Sequence, residues 1–288
     1  MKTQNTPIPL RSALLGISLV ATLPCLSQAT VIYSEDFESY TAGSAIQQLN
    51  VDPESHWLYT TNKNDVSFTA QDDATDIFSS SSNQYGVISD SSTTNNQSIS
   101  IATTKFAATE TGSLTFDFYD SSESLFNGEG FLLRIGPDSG NGGTAFGLWI
   151  QNGTIYSATG AGSWQSTSLS SYTLNTAHNL NIVFNNSSDA VGYEGDTINS
   201  NTMNVYLDGV LIGDNLGGSG GSVGSAIELL NFTSITSSEP ADDFAGTIYL
   251  DNITVDNSIP ESSSSALLIG LGATLFALVQ RRRKALAQ

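Results

Sequence analysis

Basic residues are scarce in this chain of 288 residues, where nine Lys and Arg stand against 28 Asp and Glu and the net charge is −19. The shortage is sharper in the middle, because Lys2, Arg11, Arg281, Arg282, Arg283 and Lys284 lie towards the ends. Between residues 30 and 259 only Lys63, Lys105 and Arg134 are basic, whereas every Asp and Glu except Glu261 falls there. A body that negative repels phosphate backbones, which excludes nucleic-acid binding. Cysteine is nearly absent: Cys25 stands alone, so no disulfide closes within the chain and a packed core must hold it. His56 and His178 are the only histidines, too few with one Cys for a transition-metal site. Apolar runs of any length occur only near the two ends. No segment between them keeps apolar residues at helical spacing, which excludes an α-helical body.

The first apolar run reads as a secretory signal. Lys2 and Arg11 supply positive charge, and Ala13 to Leu23 is too short to span about 30 Å of hydrocarbon. Pro24 breaks the run, and Ser27-Gln28-Ala29 offers small residues for cleavage after Ala29, which would remove Cys25. At the other end Ile259-Pro260-Glu261-Ser262 opens a serine-rich spacer before the apolar stretch Ala266 to Val279. Arg281, Arg282, Arg283 and Lys284 follow and would hold that end on the cytoplasmic side. Pro260, Glu261, the apolar stretch and the arginines, in this order, resemble the PEP-CTERM sorting tail of Gram-negative bacteria over residues 259–284. Ser262 departs from the family, which usually has a second Pro there. The resemblance implies export across the inner membrane, cleavage by signal peptidase, and recognition by an exosortase-type sorting enzyme. It also implies transient anchoring in the membrane through residues 266–279 and a final place at the cell surface or in the extracellular matrix. A simple C-terminal membrane anchor is the alternative. The expected division is a signal peptide at 1–29, one domain at 30–257 and the tail at 258–288.

The domain shows period-two alternation. Leu114-Phe116-Phe118, Phe131-Leu133-Ile135, Phe146-Leu148-Ile150 and Leu180-Ile182-Phe184 each alternate with residues of another kind. Tyr85 to Ser89, Ile99 to Phe106, Met203 to Leu207, Ile227 to Phe232 and Ile248 to Val255 also read as strands. Asp208-Gly209 and Asn152-Gly153 are hairpin signals, because both positions tolerate positive φ. Gly217 to Gly224 reads as a long loop inside the domain, and residues 71–98 as a loop-heavy excursion around the Tyr85 strand. About a dozen strands without a helical crossover predict an all-β, two-sheet antiparallel sandwich.

The succession FLLRIG (131–136), AFGLWIQNGTIY (145–156), HNLNIVF (178–184), MNVYLDGVLIGD (203–214) and GTIYLDNITV (246–255) resembles concanavalin-like, LamG-type jelly rolls. That family implies a jelly roll whose concave sheet or loop edges often bind carbohydrate. In such sandwiches a structural Ca²⁺ commonly joins the first and last strands. The matching positions are Glu35, Asp36 and Glu38 with Asp251 and Asn252, for which solvated acidic residues at a sheet edge are the equal alternative.

Catalytic patterns are not legible. No G-x-S-x-G elbow surrounds a serine. Neither Glu35-Asp36-Phe37-Glu38 nor Glu194-Gly195-Asp196 gives the alternating carboxylates of a jelly-roll glycosidase. The glycine-rich stretch at 217–224 lacks the Lys of a phosphate cradle. The chain is therefore expected to be no enzyme. Parity suggests a sugar platform instead: if Phe116, Phe118, Leu133, Ile135, Phe146 and Leu148 face the core, then Asp117, Tyr119, Arg134 and Trp149 point outward. The competing expectation is that Arg134 pairs with Asp117 while Tyr119 and Trp149 are covered. Trp57, Trp164 and Tyr172 are weaker candidates near turns. The expected role is non-catalytic recognition of extracellular polysaccharide. A structural matrix protein without a pocket, or a polysaccharide hydrolase or lyase, is the alternative.

Overall fold

The alternating segments become strands and pair into two antiparallel sheets. A computed structural model describes residues 30–59, 66–78, 82–90, 100–123, 130–159, 164–193, 195–233, 246–257 and 259. The signal, the sorting tail and their residues Pro260, Glu261 and Arg281 to Arg283 lie outside these. With strands numbered along the chain, the first sheet holds β1 (Val31–Glu35), β3 (Val66–Asp72), β4 (Gln84–Asp90), β6 (Thr111–Asp120), β11 (Ala177–Asn185), β14 (Thr202–Leu207), β15 (Val210–Gly217) and β17 (Gly246–Asp256). The second holds β2 (Trp57–Tyr59), β5 (Ser100–Thr103), β7 (Phe131–Gly136), β8 (Phe146–Gln151), β9 (Thr154–Thr159), β10 (Trp164–Ser171) and β16 (Leu229–Thr233). A small ribbon, β12 (Val191–Tyr193) with β13 (Asp196–Ile198), pairs with neither sheet but packs Tyr193 and Ile198 against Val183 and Tyr206 on the outer side of the first.

The spatial order of the first sheet is β15-β14-β11-β6-β17-β4-β3, and that of the second is β10-β9-β8-β7-β16-β5-β2. The last strand, β17, is therefore a central one. Its first half pairs with β4 and its second half with β1, while β6 runs along its other side. The hairpin signals hold: Asp208 and Gly209 have φ of 50° and 76°, and Asn152 and Gly153 have 46° and 85°. Left-handed pairs of this kind match the twist of the strands they join. Strand β3 had not been read from the sequence; the region before Tyr85 is a full hairpin of β3 with β4.

Leu114, Phe116 and Phe118 of β6, Leu180, Ile182 and Phe184 of β11, and Ile248 and Leu250 of β17 form one wall of the core. Leu133 and Ile135 of β7, Phe146, Leu148 and Ile150 of β8, and Phe232 of β16 form the other. Near one end Trp57 closes the gap between the sheets, with its ring centroid 4.8 Å from Phe68, 6.2 Å from Phe37 and 6.1 Å from Phe232. Phe37 reaches this cluster from a left-handed backbone, φ 60°, which a bulky residue rarely adopts. The Glu35 carboxylate holds the turn by accepting the Phe37 N–H at 2.8 Å and the Tyr40 hydroxyl at 2.9 Å. Gly86 makes room for the ring, since a Cβ there would lie 2.5 Å from Phe37 Cε1.

Trp57→Ala empties the centre of this cluster. It is expected to cost about 3–5 kcal/mol, the range for large aromatic deletions, read as a lower denaturant midpoint with an unchanged slope. A loss under about 1 kcal/mol would show that the sheets are not bridged at Trp57.

Candidate functional site

The two outer faces of the sandwich differ. On the second sheet Leu132 and Trp149 are fully buried and cluster with Ala158 and Tyr156. Arg134 is buried there as well, with 6% exposure. On the first sheet the outward residues of β6 and β17 are half-buried Asp117, Tyr119 and Tyr249, with Asp251 packed beneath them. The expected four-residue platform is thus split: parity is right about direction, yet Asp117 and Tyr119 stand on one face while Arg134 and Trp149 are buried on the opposite one. Parity within a strand says neither which sheet a strand joins nor what packs over its outer face.

Two cross-strand rows form the open face. In the first, Tyr119 is the register partner of Tyr249 on β17 and of Ala177 on β11. The Tyr119 and Tyr249 rings are parallel within 4°, with centroids 5.3 Å apart, and Tyr85 of β4 stacks beyond Tyr249 at 5.3 Å. Parallel rings this close are offset-stacked. The stack ends at Tyr119, because Ala177 offers no further ring. In the second row Asp117 is the partner of Asp251 and of Asn179. Asp117 accepts hydrogen bonds from the amides of Asn179 and Asn252, both at 2.8 Å. Asp251 accepts from the Asn83 amide and the Asn252 N–H, also at 2.8 Å. Asn252 reaches both carboxylates from a left-handed backbone, φ 52°, at the bulge between Asp251 and Thr254.

A pocket of about 410 Å³ opens beside Tyr119. Tyr119 and Ala177 line it together with Thr75, Asp76 and Ile77 of the β3–β4 loop and Asn175 and Thr176 before β11. Both walls are tied down. The Asp73 carboxylate, buried, accepts the N–H groups of Ile77 at 2.6 Å and Phe78 at 2.8 Å. Asn175 accepts the Ser122 N–H at 2.9 Å through its side chain and donates its own N–H to the Asp120 carbonyl at 2.9 Å. Such fixed walls favour a preformed site.

The electrostatics are one-sided. Burial pushes Asp251 up to about 6, and the charges of Asp117 and Glu38 add to it against the pull of the Asn83 and Asn252 hydrogen bonds. Burial and the neighbouring tyrosine and Asp73 push Tyr85 up to about 12, and burial raises Tyr249 as well. The five expected calcium positions do not fit one ion. Glu35 pairs in register with Ile253, a core residue, and so points inward, whereas Asp251 points outward. Both Glu35 oxygens are in use, and His56 Nδ1 lies 3.3 Å from one of them. Glu38 accepts the Gln84 N–H, and Asp36 the Glu38 N–H. Asp251 and Asn252 instead join Asp117 and Tyr119, which the sequence reading assigned to a different site. His178 is a strand-end pin: its ring nitrogens face the Asp208 carboxylate at 2.7 Å and the Thr173 carbonyl at 2.9 Å.

Tyr249 and Tyr85 were missed. Tyr249 alternates with Ile248 and Leu250, so its outward direction was legible, but its place beside Tyr119 was not. The pocket loops carried no signal.

No family model matches the chain, and no curated protein matches it. Solved structures do. A sialidase matches with TM-score 0.50 at 12% identity over 82% of this chain and 19% of its own, so the chain spans about a fifth of that protein. A carbohydrate esterase from the Shiga toxin-encoding bacteriophage phi24B matches with TM-score 0.49 at 14% identity, over 80% of this chain and all of the other. An endo-β-1,4-glucuronan lyase from the fungus Trichoderma reesei matches with TM-score 0.47 at 13% identity, over 81% and all of the other. At these identities the likeness shows the jelly-roll fold alone. The expectation that the chain is no enzyme is withdrawn all the same, because a protein named as a sialidase shares this fold. The structure also pairs two carboxylates that the sequence left apart, Asp117 and Asp251, as cross-strand partners, Asp117 half-buried and Asp251 fully buried beneath the face.

Asp251 makes the first sheet pH-sensitive. A carboxyl raised by folding contributes stability that is fully present below about pH 4 and lost as pH rises through about 6. The melting temperature of Asp251→Asn, relative to the unmodified protein, is therefore expected to improve between about pH 4 and about pH 8. A pH-independent difference would show that Asp251 titrates normally.

Proposed function

We propose that the outer face of the first sheet, centred on Tyr119, binds extracellular polysaccharide. The observation that carries this is the pocket of about 410 Å³ at the end of a three-tyrosine stack. An aromatic face packs against the C–H face of a sugar, and the neighbouring amides and carboxylates suit its hydroxyls. The volume falls in the range of small-molecule sites. The sialidase that shares the fold supports a carbohydrate ligand. In this proposal the signal at 1–29 exports the domain and the PEP-CTERM-like tail hands it to an exosortase-type enzyme. The site then meets matrix polysaccharide at the cell surface.

One observation favours a second reading, hydrolysis of the bound glycan. Cross-strand partners have Cβ atoms about 4.5–5.5 Å apart, so Asp117 and Asp251 stand at a spacing compatible with paired-carboxylate glycosidase chemistry. Burial holds the Asp251 carboxyl near 6, in the range of a proton donor, and Asp117 is the half-buried member of the pair.

The test is a polysaccharide pull-down with the secreted protein beside Tyr119→Ala and Ala177→Phe, the second placing a ring against the open face of Tyr119. Both variants are expected to weaken binding about tenfold or more while melting as the parent does. Binding that survives both substitutions would move the site elsewhere, and no binding to any polysaccharide would leave a structural matrix protein. New reducing ends that vanish in Asp117→Asn would establish hydrolysis.

A further inference from the structure

The charge around the Tyr119 pocket has a chemical consequence for its ligand. Asp76 lines the pocket itself, and Asp117 sits two residues from Tyr119 on the same face of β6. Asp251 is its cross-strand partner, and Glu38 is tied to the start of β4 through the Gln84 N–H. Of the basic residues in the body, Lys105 is engaged by Glu228 at 2.7 Å beyond β5 in the second sheet. Arg134 is buried on the outer face of that same sheet. Among the described residues, no Lys or Arg lies on the face that carries Tyr119.

We infer that the glycan taken by this pocket carries no negative charge, being built of neutral or amino sugars, and that uronate and sialate polymers are turned away. The inference rests on the proposed glycan site and specifies its ligand. A sugar carboxylate beside Tyr119 would face Asp76 and Asp117 with no cation to neutralise it among the described residues, outside which Lys63 lies, and like-charge juxtaposition opposes binding. Neutral hydroxyls, by contrast, meet the polar side chains of Thr75, Asp76, Asn175 and Thr176 that line the pocket.

The test pairs each polysaccharide of a neutral panel with its own C6-oxidised form, which differs only in carrying carboxylates. Binding is measured at low and high salt for the full chain, Tyr119→Ala and Asp76→Asn. The expected result is binding of the neutral member about tenfold or more tighter than the oxidised one at low salt, with the gap closing as salt is raised. Asp76→Asn should narrow the ratio; Asn tolerates the left-handed backbone found at this position, φ 53°. Equal or tighter binding of oxidised members, still lost in Tyr119→Ala, would overturn the charge selection and leave the site standing. Binding of the panel unaffected by Tyr119→Ala, or absent throughout, would overturn the site and the selection with it.

Discussion

Everything on the first sheet depends on the register between β17 and β6. One alignment sets Tyr249 beside Tyr119 and Asp251 beside Asp117, while Leu250 lies beside Phe118 on the core side. A slip of one residue would turn Tyr249 and Asp251 into the core and Ile248 and Leu250 into water. Burial of that apolar pair, together with Ile253 and Val255 beyond the bulge, makes the slip costly. The register that closes the core is therefore the one that assembles the face. The bulge at Asn252 belongs to the same arrangement, because it lets a single amide residue serve both carboxylates.

The sandwich uses its two outer faces differently. The second sheet buries Leu132 and Trp149 on its outer side, so part of that sheet is apolar on both faces. The first sheet keeps its outer side polar around β6 and β17, with tyrosines and amide–carboxylate pairs, while Val183 of β11 and Tyr206 of β14 are covered by the β12–β13 ribbon. Such a face gains little from further burial and is available for a ligand. Its rigidity comes from hydrogen bonds instead. Asp73 holds one loop wall, Asn175 holds the other, and the hydroxyl of Tyr172 reaches the buried Asp120 carboxylate at the end of β6. Removing one partner from such a network leaves a buried polar group unmet, which costs more than the bond itself contributes.

The sequence made the strands legible wherever apolar residues alternated strictly, as at 114–118, 131–135 and 146–150, and it made both left-handed hairpins legible. Strand β3 carries the same alternation, Val66, Phe68 and Ala70 against Ser67, Thr69 and Gln71, but it is short and runs into the Asp- and Ser-rich stretch that reads as a loop. The site was half legible. Asp117 and Tyr119 follow from the alternation of β6 alone, and Tyr249 and Asp251 follow equally from that of β17. Nothing local says that the last strand inserts beside the sixth, since that pairing is decided by which apolar faces bury each other across more than a hundred residues. Trp149 shows the converse. Its outward direction was correct, but exposure of an outward residue depends on what packs over it, which no periodicity records.

The charge of the chain and the charge of the face act in the same sense. A net charge of −19 sets up a field that discourages approach of polyanions before any contact is made. At contact the carboxylates beside Tyr119 repeat that preference at short range, where screening is weakest. Recognition of an uncharged sugar then falls to ring stacking and hydrogen bonds, which gain little from long-range attraction and lose little to salt. An acidic domain without an internal disulfide thus keeps its stability in an apolar core. That leaves the one half-buried tyrosine face to supply contact area for a ligand.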